Sequence, residues 1–273
     1  MRDLREQTIL ITGATDGLGK ALAIDLARTG ATLLLHGRDE ARGRATLAEI
    51  RDQADTDKLR WYRADLADLD QVRRLAAEIA RDHGRLDVLV SNAGIGTVVP
   101  GGGVRQESAQ GHELRFAVNY LAGFLLVRLL RPLLVASAPA RIVHVASAGQ
   151  APIDFEDVML TRNYNGIQAY CQSKLAQIMF TFDLAEELGA TGVTANALHP
   201  ATYMPTKIVA KPISSIADGV GATARLVAAP ALDGVSGRYF NGTREARAHA
   251  QAYDPRARAR LRDLSERLTA AYA

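Results

Sequence analysis

The chain has 273 residues, 48% of them apolar, a formal net charge of +3 and one cysteine, Cys171. That length suits one large α/β domain or two small ones with a sizeable core, and one cysteine excludes an intramolecular disulfide. No Cys or His cluster has zinc-ligand spacing, so no metal site is expected, and the C-terminal arginines of "TREARAHAQAYDPRARARLRDLSERL" alternate with Asp and Glu, which argues for a solvated helix face and against nucleic-acid binding.

In chain order, the first residues, "MRDLREQTILITG", lack the apolar run of a signal peptide, and no later stretch is read as a membrane span. The expectation is a cytoplasmic protein. Short runs rich in Val, Ile and Leu follow at 8–12, 32–36, 59–64, 86–91, 141–146 and 193–198, with a weaker one at 237–241. Helical spacing fills 18–29, 39–53, 68–82, 107–131 and 167–188 between them. Strands apolar on both faces that alternate with helices predict a doubly wound, Rossmann-like α/β fold, a parallel sheet of about seven strands with helices on both faces in three layers. No linker or composition shift divides the chain, which is read as one domain over 1–273. In such sheets ligands bind beyond the carboxyl ends of the strands, where strand order reverses.

The first strand runs into "TGATDGLGKALAIDLA". Gly13, Gly17 and Gly19 permit a tight turn and close approach to a diphosphate, whose charge the helix N-terminus favours. Gly13, Thr15, Asp16, Gly17, Leu18 and Gly19 are therefore candidate cofactor-binding residues. After the second strand the chain reads "LLLHGRDE", with Gly37 where an acidic residue would hold ribose hydroxyls, followed by Arg38. A guanidinium binds a 2′-phosphate that a carboxylate would repel, so NADP(H) is favoured over NAD(H). Asp16 counts against that preference. Further on, "QAYCQSKLA" places Tyr170 four residues before Lys174, on one helix face if the segment is helical. A phenol has a pKa near ~10, and positive charge nearby would favour its phenolate, so Tyr170 is a candidate acid/base.

The spacing Thr-Gly-x-x-x-Gly-x-Gly, taken with Tyr170 and Lys174, resembles the short-chain dehydrogenase/reductase family. "SNAG" at 91–94, Asn119 in "AVNYLAGF" and Ser147 in "RIVHVASAG" extend the resemblance, which covers residue 8 to about 243. It implies a catalytic set of Asn119, Ser147, Tyr170 and Lys174. Ser147 would donate to the substrate oxygen, Lys174 would hold the nicotinamide ribose, and Asn119 would order a water in a proton relay. The same resemblance implies that Asp65 meets the adenine amino group, with Leu66, Asn92, Ala93, Gly94 and Pro200 also at the cofactor. Asp65 could instead be a helix N-cap. Ala201 replaces the family's usual glycine, leaving either Thr202 or Thr206 for the nicotinamide amide.

The long interval between Ser147 and Tyr170 and the arginine-rich tail resemble retinol-dehydrogenase-like members. That implies a small alcohol or carbonyl substrate, often an apolar one in that branch, with substrate loops at 95–106, 148–168 and 200–215, including "PGGG" at 100–103, and a C-terminal helical tail over 244–273. Relatives commonly pair through helices that would correspond to 107–131 and 167–188, which implies a homodimer or homotetramer. The expected activity is NADP(H)-dependent interconversion of an alcohol with its ketone or aldehyde. Two alternatives stand beside it: a catalytically silent cofactor-binding regulatory protein, and an epimerase or dehydratase using the same Tyr-Lys pair. His199 and Cys171 are read as structural.

Overall fold

A computed structural model describes residues 1–96, 104–205 and 213–273. One eight-stranded sheet runs through it in the order β3-β2-β1-β4-β5-β6-β7-β8. Seven of these strands are parallel: β1 (Thr8–Thr12), β2 (Thr32–Gly37), β3 (Leu59–Arg63), β4 (Val88–Ser91), β5 (Ala140–Val145), β6 (Val193–His199) and β7 (Arg238–Asn241). The eighth, β8 (Arg244–Ala246), returns antiparallel against β7. This corrects the expected count of about seven, and the stretch from 244 opens with a strand rather than a helix. β8 has only three residues with no apolar run, so periodicity could not reveal it.

Every residue of β1, β4 and β5 is buried, because helices cover both faces of the sheet. One apolar core joins the sheet to α1 (Gly17–Ala27) and α7 (Ile216–Ala228), with Ile50 from α2 (Glu40–Ala54). The other joins it to α3 (Leu69–Asp82), α5 (Ala122–Ala136) and α6 (Gly166–Leu188). In α3 the buried residues Leu69, Val72, Leu75, Ala76 and Ile79 follow helical spacing, and Asp68 caps its first turn. β1 lies between β2 and β4, so strand order reverses there and a crevice opens at their carboxyl ends.

The helix read at 107–131 starts later and ends later than its spacing indicated. A bridge between Glu107 and Glu113 precedes α4 (Leu114–Phe116), a π turn at Ala117–Leu121 and then α5. The run Leu114–Ala136 has 23 residues, and its most apolar window, at mean hydropathy 1.6, is long and apolar enough to cross a membrane and is 61% buried inside the protein. Asn119, Arg128 and Arg131 interrupt it, so it is not the uncharged apolar stretch sought in the sequence.

Along the α5 and α6 side lies α8 (Pro255–Thr269), whose buried residues are Ala257, Leu261, Ser265 and Thr269. Tyr120 and Ser265 share a 2.6 Å hydrogen bond, and Arg258 and Arg262 of α8 both reach the Asp183 carboxylate of α6. Arg128 of α5 pairs with Glu187 of α6 and with Glu266 of α8. The helices through which the family resemblance implied pairing of subunits thus carry a helix of the same chain.

Candidate active site

The glycine loop is built around close backbone approach. Gly13 has φ +68°, and a Cβ there would stand 2.8 Å from the Ala93 Cα. A Cβ on Gly19 would stand 2.3 Å from the Gly13 carbonyl oxygen and 2.5 Å from Asn92 Nδ2, so both positions need glycine. Gly17, at φ +50°, starts α1, and the Asp16 side chain accepts from its N–H. Leu18 is buried. The Asn92 amide donates to the carbonyls of Thr12 (2.8 Å) and Gly13 (3.2 Å), while the N–H groups of Asn92 and Ala93 both donate to Thr12 Oγ1. The end of β4 is thereby strapped to the loop after β1. Its shape and the α1 N-terminus fit the diphosphate of a dinucleotide cofactor.

At the end of β2, Arg38 is exposed and its carbonyl accepts from Arg63 Nε of β3. Asp16 does not stand as a bare carboxylate: Arg42 of α2 pairs with it at 2.8 Å. A Cβ on Gly37 would lie 2.7 Å from the Trp61 ring and 3.0 Å from Thr15 Cγ2. Trp61, held by its ring N–H to Glu40 Oε2, leaves no room for an acidic side chain at position 37. The sequence reading missed Arg42, Trp61 and Arg63, since only the packing of α2 and β3 brings them to the loop. Behind it His36 accepts from the Gly13 N–H at 3.4 Å through Nδ1 and meets the Ala64 carbonyl through Nε2. Burial holds its pKa down to about 4, so the ring is neutral. Asp65 accepts from the Ala67 N–H, and the helix cap, its alternative role, belongs to Asp68 instead. Leu66 is buried beside it.

The second group of candidates gathers at the carboxyl ends of β4, β5 and β6. A Cβ added to Gly94 would stand 3.2 Å from Asn119 Oδ1 and 3.5 Å from Lys174 Nζ, and one on Gly149 would stand 3.4 Å from Ser147 Oγ and 3.9 Å from the Tyr170 ring. Gly94 thus lies against Asn119 and Lys174, and Gly149 against Ser147 and Tyr170. Asn119 sits on the π turn, and such turns recur at functional sites. Its Oδ1 accepts from the Ile95 N–H, and its Nδ2 donates to the Ile95 carbonyl and to Ser173 Oγ. Ser147 Oγ accepts from the Gly149 N–H.

Lys174 is buried and donates to the Val145 carbonyl at 2.8 Å, and its Nζ lies 5.9 Å from the centre of the Tyr170 ring. Burial brings its pKa down to about 8. Burial pushes the Tyr170 phenol up, and the Ser147 hydroxyl pulls it partly back. The expected lowering of the phenol is therefore not seen in the free protein, because burial disfavours the phenolate and the Ser147 hydroxyl offsets that only in part. Cys171, half-buried, has its thiol pushed up by burial, as fits a structural side chain.

Pro200 is buried just past β6. Thr202 shares a 3.0 Å hydrogen bond with His199 Nε2, while Thr206 and the "PGGG" of 100–103 lie outside the described residues. The 148–168 insertion, expected to help line the substrate pocket, turns partly toward α8: Ile153 pairs with Gln251, and Glu156 with Arg260. A cleft of about 490 Å³ between Phe155–Thr161 and α8 is not lined by Tyr170. Sequence reasoning also missed a buried cluster beneath the insertion, in which the Tyr164 hydroxyl meets both Arg115 and Glu113 and Arg115 donates to the Gly96 carbonyl.

Residues 7–215 match the family model described as short chain dehydrogenase. The chain belongs to the short-chain dehydrogenase family. It is 35% identical to retinol dehydrogenase 14 of Mus musculus, over 95% of this chain and 85% of that protein. It is likewise 35% identical to human retinol dehydrogenase 13, over 96% of this chain and 84% of that one. Among solved structures, an uncharacterized protein from Mycobacterium paratuberculosis superposes at a TM-score of 0.76 with 31% identity, over 97% of this chain and 94% of that one. A short chain dehydrogenase from Shigella flexneri complexed with NADP gives 0.71 and 26%, over 89% and 99%. This short-chain dehydrogenase is thus an oxidoreductase of alcohols or carbonyls that uses a nicotinamide cofactor.

Proposed function

We infer that this oxidoreductase uses NADP(H) and interconverts a secondary or primary alcohol with its ketone or aldehyde, with Tyr170 as acid/base. The observation that carries the reading is the gathering of three groups, the Ser147 hydroxyl at the Tyr170 phenol and Lys174 Nζ 5.9 Å from the centre of its ring. When bound, the cofactor supplies or accepts the hydride. The rest of the chemistry falls to the chain. Ser147 donates to the substrate oxygen and stabilises charge developing there. Tyr170 gives its phenolic proton to that oxygen in reduction and takes it back in oxidation. The Lys174 charge favours the phenolate, and Asn119, fixed by Ile95 and Ser173, keeps the π turn in register beside it.

Three features support NADP(H). Arg38 and Arg63 meet at the end of β2, Arg42 neutralises Asp16, and Trp61 excludes an acid at position 37. The NADP complex of the Shigella flexneri neighbour agrees. Relatives named for retinol support an apolar alcohol as the substrate type. The test is NADPH oxidation with a panel of ketones and aldehydes, for the wild type and for Tyr170→Phe. Equal turnover by the two proteins refutes the acid/base role, and a net redox change in the product separates this chemistry from epimerase or dehydratase activity.

A further inference from the structure

Among the described residues, the Lys174 ammonium has no carboxylate as a hydrogen-bond partner. Besides the Val145 carbonyl it donates to Gln177 Oε1 at 3.2 Å, one helical turn along α6. Gln177 is 2% exposed, and its Nε2 is buried with no hydrogen-bond partner. Leaving an amide nitrogen so is unfavourable, so this orientation needs an explanation. If the amide were reversed, the NH₂ would face the ammonium, donor against donor. The present orientation offers Lys174 an acceptor.

The neighbouring titratable group on β5 is neutral. His144, 1% exposed, meets Thr181 Oγ1 through Nδ1 at 2.8 Å. The Thr181 hydroxyl donates to the Gln177 main-chain carbonyl at 2.8 Å, so toward the imidazole it accepts, and His144 carries its proton on Nδ1. Burial, and then the Lys174 charge, hold the His144 pKa down to about 3. Its Nε2 is therefore a bare acceptor, and it too is buried without a partner. Thr181 thus ties His144 to the Gln177 main chain rather than to its amide.

We propose that Gln177 is the positioning residue of Lys174, its Oε1 being the side-chain acceptor that the buried ammonium meets. The inference rests on the Tyr170–Lys174 reading of the site. The titratable groups facing Lys174 are Tyr170 on its own helix and His144 from β5, so a change at Gln177 reads out on Lys174 itself.

The test is an NMR titration of Lys174 Nζ in the cofactor-free protein, with the pH profile of turnover alongside. Gln177→Leu removes the acceptor from a buried cation, so the charged fraction at pH near 8 falls about fivefold and the alkaline limb of turnover moves to lower pH. Gln177→Glu moves both the other way. Gln177→Asn, which shortens the side chain by one methylene, serves if the leucine variant does not fold, and it too lowers the Lys174 midpoint. A Lys174 titration unmoved in folded Gln177→Leu or Gln177→Asn overturns the proposal. Lys174→Met is the separate control: full turnover by that variant overturns the acid/base reading while leaving the titration result to stand.

Discussion

The cofactor side and the proton-transfer side of this crevice are held by different means. Around the loop after β1 the determinants are main-chain ones: two glycines that admit no Cβ, a strand end strapped by Asn92, and a neutral His36 against the Gly13 N–H. Around Tyr170 they are buried polar side chains from β5, α6 and the π turn, each with few partners. A site made of backbone tolerates almost no added atom. A site made of buried side chains tolerates shape changes but responds strongly to charge.

The largest expected effect tests the second region. Tyr170→Phe keeps the ring and removes the transferable proton, so turnover should fall about 10²–10⁴-fold with cofactor affinity little changed, as steady-state kinetics and fluorescence titration can establish. Gly19→Ala tests the first: its methyl would meet the Gly13 carbonyl at 2.3 Å, and NADPH affinity should fall at least about 100-fold by calorimetry. A variant with wild-type affinity breaks the contrast. Arg38→Ala should weaken NADPH about 10-fold while leaving NADH nearly unchanged, since it removes one charge-assisted contact to a phosphate. Equal losses for the two cofactors would remove Arg38 from the 2′-phosphate role.

The smallest effect concerns acid stability. His36 has a pKa of about 4 in the fold against 6.5 ordinarily. As pH falls below 6.5 the unfolded chain takes up a proton that the folded chain refuses, so stability is complete above 6.5 and drains toward pH 4, by up to about 3 kcal/mol. Thermal melts at pH 7 and 5 should show His36→Asn less stable at neutrality but less sensitive to acid. Parallel curves for the two proteins would count against a neutral His36 holding the loop.

The same contrast explains what was legible in the sequence. Backbone demands write themselves as glycines at fixed spacing, so Gly13, Gly17 and Gly19 stand out along the chain, and alternating apolar runs foretell seven parallel strands. Tyr170 and Lys174 were readable because four residues on a helix make one face. Gln177 and His144 were not, because each looks like an ordinary polar residue in a helix and a strand until Thr181 brings them together. Arg42 and Trp61 carry no spacing signal either, since their distance to the loop is set by how α2 packs on β3. The start of the helix at Leu114, seven residues later than its spacing indicated, reflects the Glu107–Glu113 bridge, a pairing between residues that periodicity treats as one helical turn and a half.

There remains α8, fastened along α5 and α6 by Arg258, Arg262 and the Tyr120–Ser265 hydrogen bond. Had another molecule supplied that helix, its occupancy would follow mass action and fall on dilution. Tethered to the same chain, it arrives at an effective concentration fixed by the link through β8. The face it covers is therefore as well protected in a dilute solution as in a crowded one.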